Sequence, residues 1–169
     1  SGESVVNINP VSATNNTGYV TNGGTKNSDA IQIDGTGGTQ WRGYIKFPLS
    51  SIPAGVIITR SRLSITNNAS APGAQTNDVR ALGNNDPVIT TGGTLYSAIG
   101  SGTSYNSSVW SNTGTISLAL NSSATNDIQN RFGPTGYIAL GLQRGGGEVY
   151  NFYGYSGGIN APQLTVSYL

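Results

Sequence analysis

Trp41-Arg42-Gly43-Tyr44-Ile45-Lys46-Phe47-Pro48-Leu49 alternates with a period of two. Extended backbone sends successive side chains to opposite faces. Trp41, Gly43, Ile45, Phe47 and Leu49 therefore share one face, and Arg42, Tyr44, Lys46 and Pro48 share the other. An apolar row backed by a polar row is how a half-buried antiparallel strand reads, with the first set, Trp41 included, turned to the core. Ser50 to Gly55, with Pro53 inside it, supplies a turn. A second strand follows from Val56 to Thr66, in which Ile57, Ser61, Leu63 and Ile65 form the buried set.

Outward from this pair the same pattern recurs in Val5 to Ile8, Ala30 to Ile33, Asp78 to Leu82, Gly114 to Leu120, Gly136 to Leu142, Val149 to Tyr153 and Leu164 to Tyr168. Glycine pairs such as Gly23-Gly24, Gly92-Gly93 and Gly157-Gly158 punctuate the intervals as turns. Ser122 to Arg131 alone has helical spacing, with Ser122 or Ser123 as cap and Gly133-Pro134 as stop. About nine short strands and at most one short helix predict an all-β fold: an antiparallel two-sheet β-sandwich of the jelly-roll type, one domain over residues 1–169. Its expected core is Ile45, Phe47, Leu49, Leu63, Ile65, Leu118, Leu140, Leu164 and Val166.

Composition narrows the function. Hydrophobic residues make up 36% of the chain and charged residues 9%, with a formal net charge of +1, so neither nucleic acid nor an anionic membrane has a basic footprint to bind. No apolar run is long enough for membrane insertion. The lack of methionine points to a processed or excised segment. Without His or Cys, the Ser-His-Asp, Cys-His and His-zinc arrangements are excluded. Seven carboxylates remain, but none forms a recognisable glycosidase pair, so the chain is expected not to be an enzyme. Asp29, Asp34 and Asp86 lie in or beside Asn- and Gly-rich turns. They are the candidates for a structural calcium ion, set against ordinary turn-forming roles for the same residues.

Arg42-Gly43-Tyr44-Ile45-Lys46-Phe47-Pro48-Leu49-Ser50-Ser51-Ile52-Pro53-Ala54-Gly55, followed by Ile57-Ile58 and Leu63-Ser64-Ile65, resembles the DNRLRE family of extracellular domains, which overlaps carbohydrate-binding module family 96. Asp127-Ile128-Gln129-Asn130 before Gly136-Tyr137-Ile138-Ala139-Leu140 is similar to that family's short helix and following strand. Ala161-Pro162-Gln163-Leu164-Thr165-Val166-Ser167-Tyr168 is similar to its closing strand. The resemblance implies a jelly roll, secreted or at the cell surface, and makes glycan a plausible partner.

For a glycan, an aromatic ring stacks on the apolar face of a pyranose while polar neighbours bond its hydroxyls. Tyr44 between Arg42 and Lys46 on the polar face of the strand suits an acidic polysaccharide, with Tyr153 or Tyr155 adding a second ring. The competing reading is a loop over that face, or local pairing of Arg42 and Lys46 with carboxylates. Trp110 is a further platform if exposed and a loop anchor if buried. The expected function is thus a non-catalytic extracellular carbohydrate-binding module. The alternative is a structural or adhesive unit of a surface or filamentous assembly whose partners are neighbouring copies or domains, with Val5 to Ile8 and Leu164 to Leu169 as the segments able to pair.

Overall fold

The computed structural model describes residues 2–34 and 38–169. In chain order its elements are β1 (Ser4–Ile8), β2 (Thr17–Thr21), β3 (Lys26–Asn27), β4 (Ile31–Ile33), β5 (Trp41–Pro48), β6 (Ile58–Thr66) and β7 (Gln75–Ala81). Helix α1 (Gly92–Ser101), β8 (Ser104–Trp110), β9 (Thr115–Ala119), helix α2 (Ser122–Arg131), β10 (Tyr137–Arg144), β11 (Tyr150–Phe152) and β12 (Gln163–Tyr168) complete them.

Every strand pairing is antiparallel, in a four-stranded sheet β1-β12-β6-β9, a six-stranded sheet β3-β2-β5-β10-β7-β8 and a small pair β11-β4. Number β1, β5, β6, β7, β8, β9, β10 and β12 from one to eight, and the two main sheets read 1-8-3-6 and 2-7-4-5. That is the connectivity of a jelly roll. The chain is an all-β, two-sheet antiparallel sandwich, as its alternation predicts.

Register explains the core. Phe47 pairs with Ile138 and Ile45 with Leu140 in one sheet, while Leu63 pairs with both Leu118 and Leu164 in the other. Opposed residues of an antiparallel pair share a face, so these rows meet between the sheets. All nine expected core residues are buried there. Each such side chain contributes about 1.5–3 kcal/mol of transfer free energy. Gly43 has a packing role within this row: a Cβ there would sit 2.7 Å from Ile31 Cγ2, so the absent side chain lets β4 close one flank of the core.

Several expectations need correction. In β6, Ser167 pairs with Arg60 but Tyr168 with Ile58, leaving Thr59 as an extra residue. Such a bulge inverts the in–out parity upstream. Ile58 is accordingly buried, and Ile57, expected inside, is 62% exposed. Trp41 is only half-buried: it lies at the very end of β5, opposite Thr21 and Asp34. Among the described residues there are two α-helices, not one. Gly92-Gly93, read as a turn, opens α1, whose Leu95 and Ile99 are buried one helical turn apart. The predicted helix α2 is present, with Asn121 as its cap in place of Ser122 or Ser123: Asn121 Oδ1 accepts from the Ala124 N–H at 3.2 Å. Strands β2, β3 and β8 were not among the predicted elements.

Candidate functional site

A second apolar cluster lies on the outer face of the six-stranded sheet, where Val20, Tyr44, Leu82, Leu95, Ile99 and Ala139 are buried together. Helix α1 packs directly on the strands because Gly141 of β10 has no side chain; a Cβ there would be 2.8 Å from Ile99 Cγ1 and Cγ2. The face that alternation assigns to solvent is therefore roofed. Tyr44 has no exposure, and its hydroxyl donates to Asn15 Oδ1 at 2.9 Å. Burial pushes this phenol well above the ordinary tyrosine range. Tyr44 cannot present its ring to a ligand in this arrangement, which corrects its expected exposure.

Its two cationic neighbours take different roles. Lys46 Nζ makes an ion pair with Asp86 Oδ2 at 2.7 Å and lies 4.6 Å from the centroid of the Tyr137 ring. Lys26 Nζ donates to the carbonyls of Pro87 and Thr90 at 2.7 and 2.8 Å. Together Lys26 and Lys46 fasten the segment that leads into α1. Arg42 Nη1 donates to the Tyr96 carbonyl at 2.7 Å, and its guanidinium carbon stands 3.9 Å from the centroid of the Tyr96 ring.

Of the remaining expected residues only Asp34 is brought beside Arg42. Trp110 is fully buried, meeting Tyr150 and Phe152 edge-on at 6.4 and 5.9 Å between centroids, so it anchors the core. Tyr153 and Tyr155 are half-buried. Tyr155 is tied to the start of β2, its N–H donating to Thr17 Oγ1 at 3.0 Å and its hydroxyl accepting from Ser28 at 3.4 Å. Among the described residues no three acidic side chains gather in one place. Asp29 accepts from the Ser156 hydroxyl at 2.7 Å, Asp34 bridges to Trp41, and Asp86 is held by Lys46 and the Val88 N–H.

What the fold does assemble is a polar cleft of about 290 Å³ at the Trp41 end of β5. Asp34, Gln40, Trp41 and Arg42 form one wall, Tyr96 of α1 another, and Gln143, Arg144, Gly145 and Gly146 at the end of β10 the third. Trp41 is braced by Tyr19 at 5.1 Å between centroids, and the Tyr96 hydroxyl donates to Gln40 Oε1 at 3.0 Å. Among the described residues, Gln143 Oε1 and Arg144 Nη1 are buried without a hydrogen-bond partner. An unpaired buried donor or acceptor costs about 1–3 kcal/mol, so this end of β10 carries a local cost in stability.

No family model matches the chain, and no curated protein matches it in sequence. The functional reading therefore rests on the site itself. A larger groove, about 490 Å³, crosses the outer face of the four-stranded sheet beside α2, with Arg62, Asn126 and Thr165 in its lining. It holds no aromatic ring among its lining residues and so offers no stacking surface. Sequence reasoning found Arg42 but missed Trp41, Tyr96, Gln143 and Arg144 as site residues. A usable signal existed for Gln143 and Arg144. They are polar residues closing an apolar strand just before Gly145-Gly146-Gly147, where side chains leave the core.

Proposed function

We propose that this chain is a non-catalytic, extracellular carbohydrate-binding module that takes an acidic polysaccharide at the Trp41–Arg144 cleft. The observation that carries the reading is the gathering in one depression of a half-buried Trp41 ring, two carboxamides, Gln40 and Gln143, and two guanidiniums, Arg42 and Arg144, against the single carboxylate of Asp34. A pyranose ring stacks on the indole, the carboxamides bond its hydroxyls, and the planar fork of Arg144 donates to a uronate carboxylate. Trp41, Arg42, Gln143 and Arg144 stand at strand ends and Tyr96 on a helix fixed by packing, so these side chains lose little ordering entropy on binding. The absence of His and Cys supports a binding role over a catalytic one.

The test is calorimetry with a polyuronate and a neutral glucan. The polyuronate is expected to bind more tightly, with affinity falling as salt screens the guanidiniums. Arg144→Ala is expected to weaken it at least about tenfold, the size of a lost charged hydrogen bond, without unfolding the protein. Failure of the folded protein to bind any glycan on an array would overturn the proposal.

A further inference from the structure

We propose that the free edge of β8 pairs with the same edge of a second copy of this chain, giving a two-fold dimer in which two six-stranded sheets join into one. Four strands end the two main sheets: β1, β9, β3 and β8. Native sheets blunt such ends with charge, proline, bulges or brevity, because unpaired backbone groups template further pairing. Strand β3 has two residues, one of them Lys26, and β1 begins beside the Glu3–Arg60 ion pair. Strand β9 has five residues and lies against Arg62. Strand β8 is the longest of the four, at seven residues, and carries neither charge nor proline. No Asp, Glu, Lys or Arg occurs anywhere between Asp86 and Asp127.

The first part of β8 is protected. Its register against β7 shifts at Val79/Arg80, and Asn121 covers it by donating to the carbonyls of Tyr105 and Ser104 at 2.9 and 2.7 Å. Past that bulge, from Asn106 to Val109, the backbone has no partner beyond β7 among the described residues. Ser107 is exposed and Val109 is 68% exposed on this stretch.

A second copy is the occupant that suits such an edge. The strand is uncharged, so its self-pair holds no like-charge contact, and with a net charge of +1 two copies repel little. Antiparallel pairing about Ser108 sets Ser107 opposite Val109 of the second copy and brings the two Ser108 residues face to face. This is the self-complementary arrangement that a two-fold axis requires. The contact is narrow, so the expected state is a concentration-dependent monomer–dimer equilibrium. It is independent of the glycan reading, because β8 contributes nothing to the cleft.

Sedimentation over a wide concentration range reads the equilibrium directly. Val109→Lys, at an exposed position where the monomer tolerates it, is expected to weaken the dimer at least tenfold. The chain has no cysteine, so Ser108→Cys introduces a single thiol. Opposed Cα atoms of an antiparallel pair are about 4.5–5.5 Å apart, within disulfide range. Mild oxidation should therefore give a covalent dimer far faster than Ser70→Cys on an exposed loop. A monomer at every concentration with no preferential cross-link would overturn the proposal, and so would a dimer indifferent to Val109→Lys.

Discussion

Replacing Tyr44 by Ala removes a ring that has no solvent exposure and that fills the layer between β5 and α1. Truncations of a large buried aromatic cost about 3–5 kcal/mol. At about 2–4 °C per kcal/mol for a chain of this length, the melting temperature should fall by about 6–20 °C. Tyr44→Phe keeps the ring and loses only the hydroxyl that donates to Asn15 Oδ1, a change of about 0.5–1.5 kcal/mol. Trp41, three residues earlier on the same strand, is half-buried against Tyr19 and faces the cleft. Trp41→Ala should cost only about 1–2 kcal/mol of stability while weakening polyuronate binding at least about tenfold. Thermal unfolding by circular dichroism and calorimetric titration on the same samples separate the two roles. If Tyr44→Phe abolished binding at an unchanged melting temperature, or Trp41→Ala left affinity intact, the assignment of Tyr44 to packing and Trp41 to recognition would be wrong.

Two pH dependences follow from buried and paired groups. Burial, the main cause, pushes the phenols of Tyr44, Tyr105 and Tyr150 above the ordinary value of about 10, and the hydrogen bond to Asp127 adds to the effect at Tyr105. The unfolded chain then loses these protons first, so their contribution is complete below about pH 10 and is lost as pH rises. Ultraviolet titration should show three of the nine tyrosines ionising late and together with alkaline unfolding; simple titration of all nine near their ordinary value would contradict this burial. Glu3, hydrogen-bonded to Thr59 and paired with Arg60, has its carboxyl held below the usual range, so its contribution is present above about pH 4.3 and is lost as pH falls through the folded-state value. The acid-side decline in melting temperature should be shallower in Glu3→Gln, and an unchanged profile would show that this clamp on β1 has no effect in solution.

The order of amino acids determines the row of core residues almost completely. Ile45, Phe47, Leu63, Ile65, Leu140 and Leu164 recur with period two, and a strand buried on one face has few other ways to place them. The missing His and Cys likewise exclude whole classes of catalysis before any coordinates exist. Alternation, however, states only which side chains share a face, never what lies over that face. Whether Tyr44 meets water or protein was decided by α1, some fifty residues away, whose Gly-rich sequence is a weak helix former held in place by Leu95, Ile99 and the bare surface of Gly141. Bulges act similarly: the extra Thr59 turned Ile57 outward and Ile58 inward, although the two differ in nothing but position. The cleft draws Asp34, Trp41, Tyr96 and Arg144 from separate stretches of chain, and the edge of β8 is open because no strand among the described residues pairs beyond it. Both are consequences of which backbone lies beside which, a long-range outcome of closing two sheets around one core that local periodicity does not encode.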